Sequence, residues 1–539
     1  MPAARERRRQ PQGQDFVREP ERDDPAAHRE DVGVVVLARQ PRRVEIVAER
    51  RTDAGDFVRG DLLALPAAAE HDAAIGAALG DRAPDADADE RIVHRRLAVR
   101  AVIVDAVPER RQRLLEMFLE REAGMVGADR NPHGGIVLYA RSAVRTPSVV
   151  ISSRGEERLH DGHPWIYRAD VADVRAQAGD VVLVRGPRAR ALGHALYSDR
   201  SQIALRMLAY TAAPGQDRGD VQLDADALIR RRIDAAVAFR DSLAIEATAY
   251  RLVHGEADLL PSLIVDRYGE YLVVQALSQG MDRRLPAIVV ALSERLQPRG
   301  ILARNDPRAR TLEGLEQRVE VLAGEVPERV AVTEVGIEYD VDLRRGQKTG
   351  LFLDQRENRA AAAQYARGRL LDCFSYNGGF ALVLGRRCRE TIAIDVSEDA
   401  VARVRENAAR NGIAVDARVG NVFDELRGLE RLGERFDTIV LDPPAFAKNK
   451  AAVENARAGY KEINLRALKL LAPGGTLVTC SCSYHISEAA FAEIVYDAAL
   501  DAQAHVTVVE KRMQGRDHPV LLGVPETYYL KCFILRKVQ

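Results

Sequence analysis

Strands and helices alternate regularly over the C-terminal part of the chain, and this pattern limits the possible folds more than any other feature. Short apolar runs predict strands at residues 369–373, 391–395, 415–419, 437–441 and 475–480. Amphipathic runs predict helices at residues 379–387, 398–411, 422–430 and 455–471. Alternation at this spacing indicates βαβ units and a parallel sheet. We therefore expect an α/β domain whose functional site lies at the carboxyl edge of the sheet.

The first predicted strand is followed by a glycine turn, Asn377-Gly378-Gly379. Glycine lets the backbone come close to a ligand, and the helix that follows offers unpaired N–H groups. The turn lacks the Gly-x-Gly-x-x-Gly spacing of a dinucleotide site and the Gly-Lys-Ser/Thr of a phosphate-binding loop. The second strand ends at Asp395, and an acid roughly twenty residues beyond a glycine turn binds a ribose diol. We expect a nucleoside-bearing cofactor with Asp395 as its ribose ligand; the alternative is that Asp395 caps the next helix.

Asp442 and Cys482 follow the fourth and fifth predicted strands. Pro443 and Pro444 fix the backbone after Asp442 and hold a rigid loop that directs the acid into the crevice. A cysteine at the neighbouring strand tip suits a pyrimidine, because carbon 5 becomes nucleophilic only after a thiolate adds to carbon 6. Asp442 would then hydrogen-bond or protonate ring nitrogen 3. The alternative is that Cys482, like Cys480, is a small buried apolar residue.

The segment that begins near residue 148 is rich in short β-type runs. These runs, at residues 149–151, 181–184 and 203–207, are separated by glycine and aspartate turns. This spacing is typical of a small β-barrel. The single tryptophan, Trp165, is either a core residue of that barrel or a platform on which a base stacks.

A compact α+β segment is predicted between the barrel and the C-terminal sheet. Its elements are a helix at 226–240, strands at 263–265, 271–274 and 300–303, a helix at 286–296 and a hairpin at 336–343 that leads into the next domain. The first helix carries three successive arginines near its start, Arg230, Arg231 and Arg232. Such a triplet is either a solvated face or a set of phosphate contacts.

The first 145 residues differ in composition from the rest of the chain. They contain no Lys, Cys or Trp, few aromatic residues and several clusters of Arg, Asp and Glu. A segment with so few large side chains has little apolar surface to offset the entropy of ordering. We expect residues 1–147 to be a disordered charged extension or a stretch upstream of the true start, with a folded module as the alternative.

Charge and cysteine content limit the environment of the protein. The formal net charge is −1, so any RNA-binding surface has to be a local basic patch. All five cysteines lie after residue 370 and show no repeated metal-ligand spacing. The sequence contains no recognisable secretory signal and no apolar run of membrane length. We expect a reduced, cytoplasmic protein that binds no metal and contacts no membrane.

Eight motifs together give the chain a family resemblance over residues 148–539. They are Gly346-Gln347-Lys348-Thr349-Gly350, Leu353-Asp354-Gln355-Arg356, the segment 372–380, Asp442-Pro443-Pro444-Ala445-Phe446, Gly459-Tyr460-Lys461, Ser481-Cys482-Ser483, Asp517-His518-Pro519 and Tyr529-Leu530-Lys531. With these motifs the chain resembles the ribosomal RNA large-subunit methyltransferase I family. The resemblance implies a PUA domain at 148–225, a central α+β domain at 226–335 and a Rossmann-like class I methyltransferase domain at 336–539. It also implies that S-adenosylmethionine donates a methyl group to carbon 5 of a cytosine in 23S ribosomal RNA, with Cys482 as nucleophile.

The strand ends and the resemblance together assign residues to the cofactor, the reaction and the RNA. The residues assigned to S-adenosylmethionine are Asp372, Phe374, Tyr376, Asn377, Gly378, Gly379, Asp395, Asn421 and Gln355. Those assigned to catalysis are Cys482 and Asp442, and those assigned to RNA are Trp165, Arg230, Arg231, Arg232, Lys348, Arg356 and Lys448. Asn421 departs from the family pattern, which has an acid for the adenine amino group, but its carbonyl can accept the same bond.

Two other functions stay open on the sequence. One keeps the fold and methylates a guanine amine or another RNA position, with Cys482 serving only a structural role. The other is an RNA-binding assembly factor in which the methyltransferase fold is inactive. The expected partner in the leading hypothesis is 23S ribosomal RNA, and homodimerisation is an open alternative.

Overall fold

The computed structural model describes residues 146–211, 223–447 and 449–538. The predicted N-terminal extension up to residue 145 and the predicted RNA contact Lys448 lie outside the described residues. Among the helices of the described segments, none is long and apolar enough to cross a membrane.

The first domain is a six-stranded sheet that curls around an apolar core. Its elements are β1 (Ser148–Ile151), α1 (Ser153–His160), β2 (Trp165–Tyr167), β3 (Val171–Arg175), β4 (Val181–Arg185), β5 (Ala191–Tyr197) and β6 (Ile203–Tyr210). The strand order is β2-β6-β5-β4-β1-β3, and only the β1–β4 pair is parallel. The side chains of Val149, Ile151, Val182, Val184 and Leu205 fill its core. The three predicted strands of the barrel are therefore confirmed.

The central domain packs two helices against a five-stranded sheet. Its elements are α2 (Ala225–Ser242), β7 (Ala249–His254), β8 (Leu263–Tyr268), β9 (Tyr271–Ala276), α3 (Gln279–Arg283), α4 (Leu285–Leu296), β10 (Gly300–Asn305), α5 (Ala309–Leu312) and β11 (Arg318–Gly324). The strand order is β11-β10-β9-β8-β7. Asp224 caps α2 by accepting the backbone N–H of Ala227 at 2.9 Å. The predicted helices and strands of this segment are confirmed, and β7 and β11 were not predicted.

A β-hairpin joins the central domain to the C-terminal sheet. It consists of β12 (Arg329–Glu334) and β13 (Ile337–Asp342), which pair antiparallel along their full length. The predicted hairpin at 336–343 covers only the second of these strands. The proposed boundary between residues 335 and 336 falls at the hairpin turn. Buried Val332 and Tyr339 pack in one cluster with Tyr268 of the central domain and Leu370 of the C-terminal domain.

The C-terminal domain is a doubly wound α/β sheet. Its elements are α6 (Arg356–Ala362), β14 (Arg369–Cys373), α7 (Gly379–Gly385), β15 (Glu390–Asp395), α8 (Glu398–Arg410), β16 (Asp416–Val419), α9 (Val422–Arg431), β17 (Phe436–Leu441), α10 (Val453–Leu470), β18 (Leu471–Ser481), α11 (Glu488–Asp501), β19 (Val506–Arg512) and β20 (Lys531–Lys537). The strand order is β16-β15-β14-β17-β18-β20-β19, and only β20 runs antiparallel to its neighbours. All nine predicted elements of this sheet are confirmed, with ends that differ by at most four residues.

Alternate residues of the central strands face opposite layers of helices. Leu370 and Val440 belong to the core on the side of α7, whereas Leu371 and Ile439 pack on the side of α10 and α11. Chain order reverses between β14 and β17, because β15 and β16 lie on one side of β14 and the later strands lie on the other. The carboxyl ends of these two strands therefore form the crevice in which such sheets bind ligands.

Candidate active site

The turn after β14 contains three residues in the left-handed conformation. The φ angles are +63° at Phe374, +50° at Tyr376 and +87° at Gly378. Such angles cost a non-glycine residue on the order of 1–3 kcal/mol, so surrounding contacts have to hold the turn. The hydroxyl of Tyr376 provides two of them, since it accepts the N–H of Gln347 at 2.9 Å and donates to the carbonyl of Gly350 at 3.2 Å. The predicted cofactor residue Tyr376 thus fixes the shape of the turn with its side chain.

Asp395 lies at the end of β15 and holds the same turn from the other side. Its carboxylate accepts the backbone N–H groups of Tyr376 and Ser397, each at 2.9 Å. Burial raises the pKa of Asp395, and these two N–H groups oppose the rise. The cap of α8 is Ser397, whose hydroxyl accepts the N–H of Ala400 at 3.3 Å. Asp395 is therefore not the helix cap, and its half-buried carboxylate stands at the strand end where a ribose ligand was predicted.

Asp372 is buried at the end of β14 with one oxygen unsatisfied. Its Oδ2 accepts the N–H of Ala381 at 2.8 Å, whereas Oδ1 has no hydrogen-bond partner among the described residues. The hydroxyl of Ser375, also buried, has none within the same part of the chain. Burial raises the pKa of Asp372 to about 8, opposed by the Ala381 N–H. Buried polar atoms normally have partners, so these two fit the polar groups of a bound nucleoside cofactor.

Asn377 and Asn421 border the glycine turn and the third strand. The carbonyl of Asn377 accepts a hydrogen bond from the side-chain amide of Asn407 at 3.2 Å. Asn421 caps α9, because its Oδ1 accepts the N–H of Phe423 at 2.9 Å. An amide oxygen has two lone pairs, so capping leaves one for the adenine contact predicted for Asn421. At Gly379, an added Cβ would lie 2.6 Å from Nε of Arg359, so this position of the turn has no room for a side chain.

Gln355 contacts the acid of the Asp-Pro-Pro loop. Its amide Nε2 donates to Oδ1 of Asp442 at 2.8 Å, and its Oε1 accepts from Asn358 at 2.7 Å. Burial raises the pKa of Asp442 to about 6, while the positive charge of Arg359 opposes the rise. Gln355 was predicted to contact the cofactor, and in the structure its amide donates to Asp442.

Cys482 lies just beyond β18 with its thiol directed at the same loop. Its Sγ is 3.8 Å from the carbonyl oxygen of Pro443. Burial raises the pKa of Cys482 to about 12, and the negative charge of Asp442 adds to the rise. The thiol is therefore protonated near neutral pH in the free protein. Cys480 is fully buried on the same strand and pairs opposite Cys532 of β20.

The Asp-Pro-Pro loop and the Cys482 segment are joined by a tyrosine and a serine. The ring of Phe446 stacks 4.6 Å from that of Tyr460, whose hydroxyl lies 2.9 Å from Oγ of Ser483. That Oγ also accepts the N–H of Ala447 at 3.1 Å. An added Cβ at Gly459 would lie 3.2 Å from the Phe446 ring, so glycine lets the helix approach the loop. Gly459 and Tyr460 of the Gly459-Tyr460-Lys461 motif, which had no role assigned from the sequence, thus connect the Asp-Pro-Pro loop to the Cys482 segment.

Two of the predicted RNA contacts are buried, which corrects the prediction for them. Trp165 is 2% exposed and donates its indole N–H to Glu256 at 3.1 Å, so no base can stack on it. Arg356 is 5% exposed and makes two parallel hydrogen bonds of 3.0 Å with the carboxylate of Asp517. Its guanidinium joins α6 to the segment before β20.

The other basic residues of the prediction occupy two places. Lys348 is half-buried, donates to Asp354 at 2.6 Å and lies 4.5 Å above the ring of Phe352. On α2, Arg230 pairs with Glu294, Arg231 is exposed and Arg232 donates to main-chain carbonyls. Lys348 therefore lies near Cys482, whose pKa its charge lowers, and the arginine triplet belongs to the central domain.

The comparisons with known proteins agree with this geometry. A family model of S-adenosylmethionine-dependent methyltransferases matches residues 269–520, and a PUA-like domain model matches residues 149–210. The solved structure of SMU.776 complexed with SAH covers 72% of this chain and 99% of its own, with a TM-score of 0.61 and 21% identity. That similarity supports the fold. The chain is thus an S-adenosylmethionine-dependent methyltransferase with an N-terminal PUA-like domain.

Curated relatives define the family more narrowly. The chain is 38% identical over 403 residues to ribosomal RNA large subunit methyltransferase I of Erwinia tasmaniensis, which covers 73% of this chain and 100% of the relative. It is 39% identical over 402 residues to the protein of the same name from Tolumonas auensis, covering 72% and 99%. The chain belongs to the ribosomal RNA large subunit methyltransferase I family, and the predicted resemblance and cofactor are confirmed.

Proposed function

We propose that the protein methylates carbon 5 of a cytosine in 23S ribosomal RNA through a covalent bond to Cys482. The names of the relatives support large-subunit ribosomal RNA as the substrate. The observation that carries the chemistry is the position of the thiol, with Sγ 3.8 Å from the carbonyl of Pro443 in the loop that begins at Asp442. A cysteine and an acid side by side beyond the cofactor turn are the groups that activation of carbon 5 needs.

The reaction begins with the addition of the Cys482 thiolate to carbon 6 of the ring. Asp442 donates a hydrogen bond or a proton to ring nitrogen 3, which stabilises the electron density that carbon 5 receives. S-adenosylmethionine would supply the methyl group to carbon 5 and leave as S-adenosylhomocysteine. The hydrogen of carbon 5 then leaves as a proton to solvent, and nitrogen 3 gives any proton it received back to Asp442. The bond between carbon 6 and Cys482 breaks at the same stage, which restores the ring and the thiolate.

The charges around Cys482 and Asp442 fit these roles. A pKa of about 6 lets Asp442 exchange a proton near neutral pH, which is what an acid opposite ring nitrogen 3 requires. Burial keeps the Cys482 thiol protonated, so the attacking thiolate has to be stabilised by positive charge. Lys348 supplies one such charge from the loop before α6.

RNA containing 5-fluorocytosine tests the proposal directly. Fluorine at carbon 5 cannot be removed as a proton can, so a methylated ring stays bound to the thiol. We expect an RNA–protein adduct that survives denaturation with the unsubstituted protein and with Cys480→Ala, and none with Cys482→Ala. Methyl transfer by the unsubstituted protein without an adduct would contradict the thiol mechanism and favour methylation of an exocyclic amine.

A further inference from the structure

The Tyr529-Leu530-Lys531 motif places a lysine against the segment that carries Cys482. Lys531 begins β20 and pairs opposite Ser481 of β18. Its Nζ donates to the carbonyl of Ser483 at 2.7 Å and to the carbonyl of Tyr529 at 2.9 Å. Cys482 therefore lies between Ser481, which pairs with Lys531 across the two strands, and Ser483, whose carbonyl accepts a hydrogen bond from the Lys531 ammonium group.

The ammonium group of Lys531 is held inside the protein. The residue is 2% exposed, and both hydrogen bonds go to neutral main-chain carbonyls. Burying a positive charge with neutral partners is costly unless a negative charge develops nearby. A thiolate at Cys482 is such a charge, and it would form one residue before the carbonyl that the ammonium binds. The same lysine can thus hold the backbone of the nucleophile and offset its charge.

We propose that Lys531 is a positioning residue that fixes the Cys482 segment and stabilises the Cys482 thiolate. This inference rests on the proposed function, in which Cys482 attacks the ring. The proposal also assigns a role to the Tyr529-Leu530-Lys531 motif, which had no role assigned from the sequence. It also explains why a lysine stands at the start of a strand whose following residues are apolar and buried.

The charges on neighbouring elements are consistent with this role. Burial lowers the pKa of Lys531 to about 8, while a thiolate at Cys482 and the negative charge of Glu488 oppose the fall. The ionisable groups around the thiol are Asp442, Lys348, Asp354, Lys531 and Tyr460. Of these, Asp442 and Asp354 raise the pKa of Cys482, whereas Lys348 and Lys531 lower it. Removing the charge of Lys531 should therefore raise the thiol pKa and reduce the thiolate fraction at any lower pH.

The pH profile of Cys482 alkylation measures this effect without RNA. The rate of modification by iodoacetamide would be followed by peptide mass spectrometry between about pH 7 and pH 9, where it reports the thiolate fraction. We expect Lys531→Met to lower the rate at Cys482 by about tenfold at pH 7, which corresponds to a rise of about one pKa unit in the thiol. The difference should shrink towards pH 9, because Lys531, with a pKa of about 8, loses its own charge there. Lys537→Met is the matched control, because Lys537 lies on the same strand and donates to the carbonyls of Leu468 and Leu471, each at 2.8 Å.

The alkylation rates of the variants support or contradict the role proposed for Lys531. A lower rate in Lys531→Met, with an unchanged rate in Lys537→Met and in Lys531→Arg, supports it. An unchanged rate in a folded Lys531→Met contradicts it. If Lys531→Met does not fold, Lys531→Arg decides, because arginine keeps the positive charge and should keep the pH profile of Cys482 alkylation. A tenfold lower alkylation rate in Lys531→Arg contradicts the proposal. The absence of a 5-fluorocytosine adduct in the unsubstituted protein would contradict the proposed function. The alkylation rates would still show whether Lys531 stabilises the Cys482 thiolate, because they are measured without RNA.

Discussion

The two halves of the active-site edge are held by different kinds of contact. In the cofactor half, at the ends of β14 and β15, carboxylates accept backbone N–H groups of the turns that follow these two strands, as Asp395 does from Tyr376 and Ser397. In the thiol half, at the ends of β17 and β18, the contacts come from distant segments, as from Gln355 to Asp442 and from Lys531 to the carbonyl of Ser483.

This difference separates binding from chemistry. In the cofactor half, the carboxylate of Asp395 and the hydroxyl of Tyr376 hold a turn whose backbone is preorganised for a ligand. The thiol half depends on charges that shift the pKa of Asp442 and Cys482, so single substitutions there should change the reaction while the cofactor still binds. Substitutions in each half test that separation.

Substitution of the nucleophile should give the largest effect. We expect Cys482→Ala to lower methyl transfer to unmodified 23S RNA on the order of a millionfold, as loss of a catalytic nucleophile can do. Its affinity for S-adenosylmethionine, measured by calorimetry, should stay within about twofold, because Cys482 is not among the residues assigned to the cofactor. A twofold change in Kd is below about 0.5 kcal/mol in binding free energy. Transfer at the unsubstituted rate would remove Cys482 from the reaction, and loss of cofactor binding would show that the two halves are not separable.

The same difference explains which parts of the site the sequence could predict. Asp372, the glycine turn and Asp395 lie next to strands with a clear apolar pattern, so their places at the sheet edge followed from local spacing. Lys531 could not be placed, because β20 enters the sheet after a long irregular segment and pairs antiparallel beside β18. β19, β20 and α11 were not predicted at all.

The burial of individual side chains also could not be predicted from local sequence patterns. Trp165 and Arg356 have side chains typical of RNA contacts, yet partners distant in sequence, Glu256 and Asp517, hold them inside the protein. Lys348 was assigned to RNA, and it is paired with buried Asp354. Whether an arginine or lysine faces solvent or a buried carboxylate depends on tertiary packing, which its immediate neighbours in the sequence do not specify.

The buried pair of Arg356 and Asp517 should be the most costly contact to remove for stability. Arg356→Met leaves the Asp517 carboxylate buried without its two-bond partner, and breaking such a pair typically costs about 3–5 kcal/mol. Differential scanning calorimetry would measure the loss as a lower Tm. The control is Arg516→Met, because Arg516 is exposed and pairs with Glu357 at the surface, where a pair is worth about 0–1 kcal/mol. Equal Tm values for the two variants would contradict a structural role for Arg356.

Replacement of Asp395, the predicted ribose ligand, should lower the affinity for S-adenosylmethionine and leave the thiol half of the site unchanged. Asp395→Ala eliminates the predicted bond to the ribose, and the loss of such a bond costs about 1–3 kcal/mol of binding. It also removes the acceptor of the Tyr376 and Ser397 N–H groups, which lowers stability. Titration calorimetry with S-adenosylmethionine would show this as a higher Kd. Asp399→Ala, four residues further on an exposed helical turn, should bind normally. Unchanged affinity in Asp395→Ala would overturn the assignment.

Asp372 should make stability depend on pH. Its pKa is raised to about 8 by burial, whereas an aspartate in an unfolded chain has a pKa of about 3.9. Between these values the folded protein holds a proton that the unfolded chain has lost, so the free energy of unfolding falls as pH rises, by up to about 1.4 kcal/mol per pH unit. Asp372→Asn cannot ionise and its carbonyl can still accept the Ala381 N–H. We expect its Tm, relative to the unsubstituted protein, to increase steadily from about pH 5 to pH 8; a constant difference would show that Asp372 is ionised when folded.

The smallest effect should come from the cysteine two residues before the nucleophile. Cys480 is fully buried opposite Cys532, and Gln355 and Asp442 lie near its thiol. Because it lies inside the sheet, we expect its sulfur to contribute packing and no bond to the base. Cys480→Ala removes one buried atom, and we expect a loss on the order of 1 kcal/mol in the free energy of unfolding. Methyl transfer measured with tritiated cofactor should remain within about fivefold of normal, because about 1 kcal/mol in the activation free energy corresponds to less than a tenfold change in rate. Inactivity confined to Cys480→Ala, with normal transfer by Cys482→Ala, would exchange the roles assigned to the two thiols.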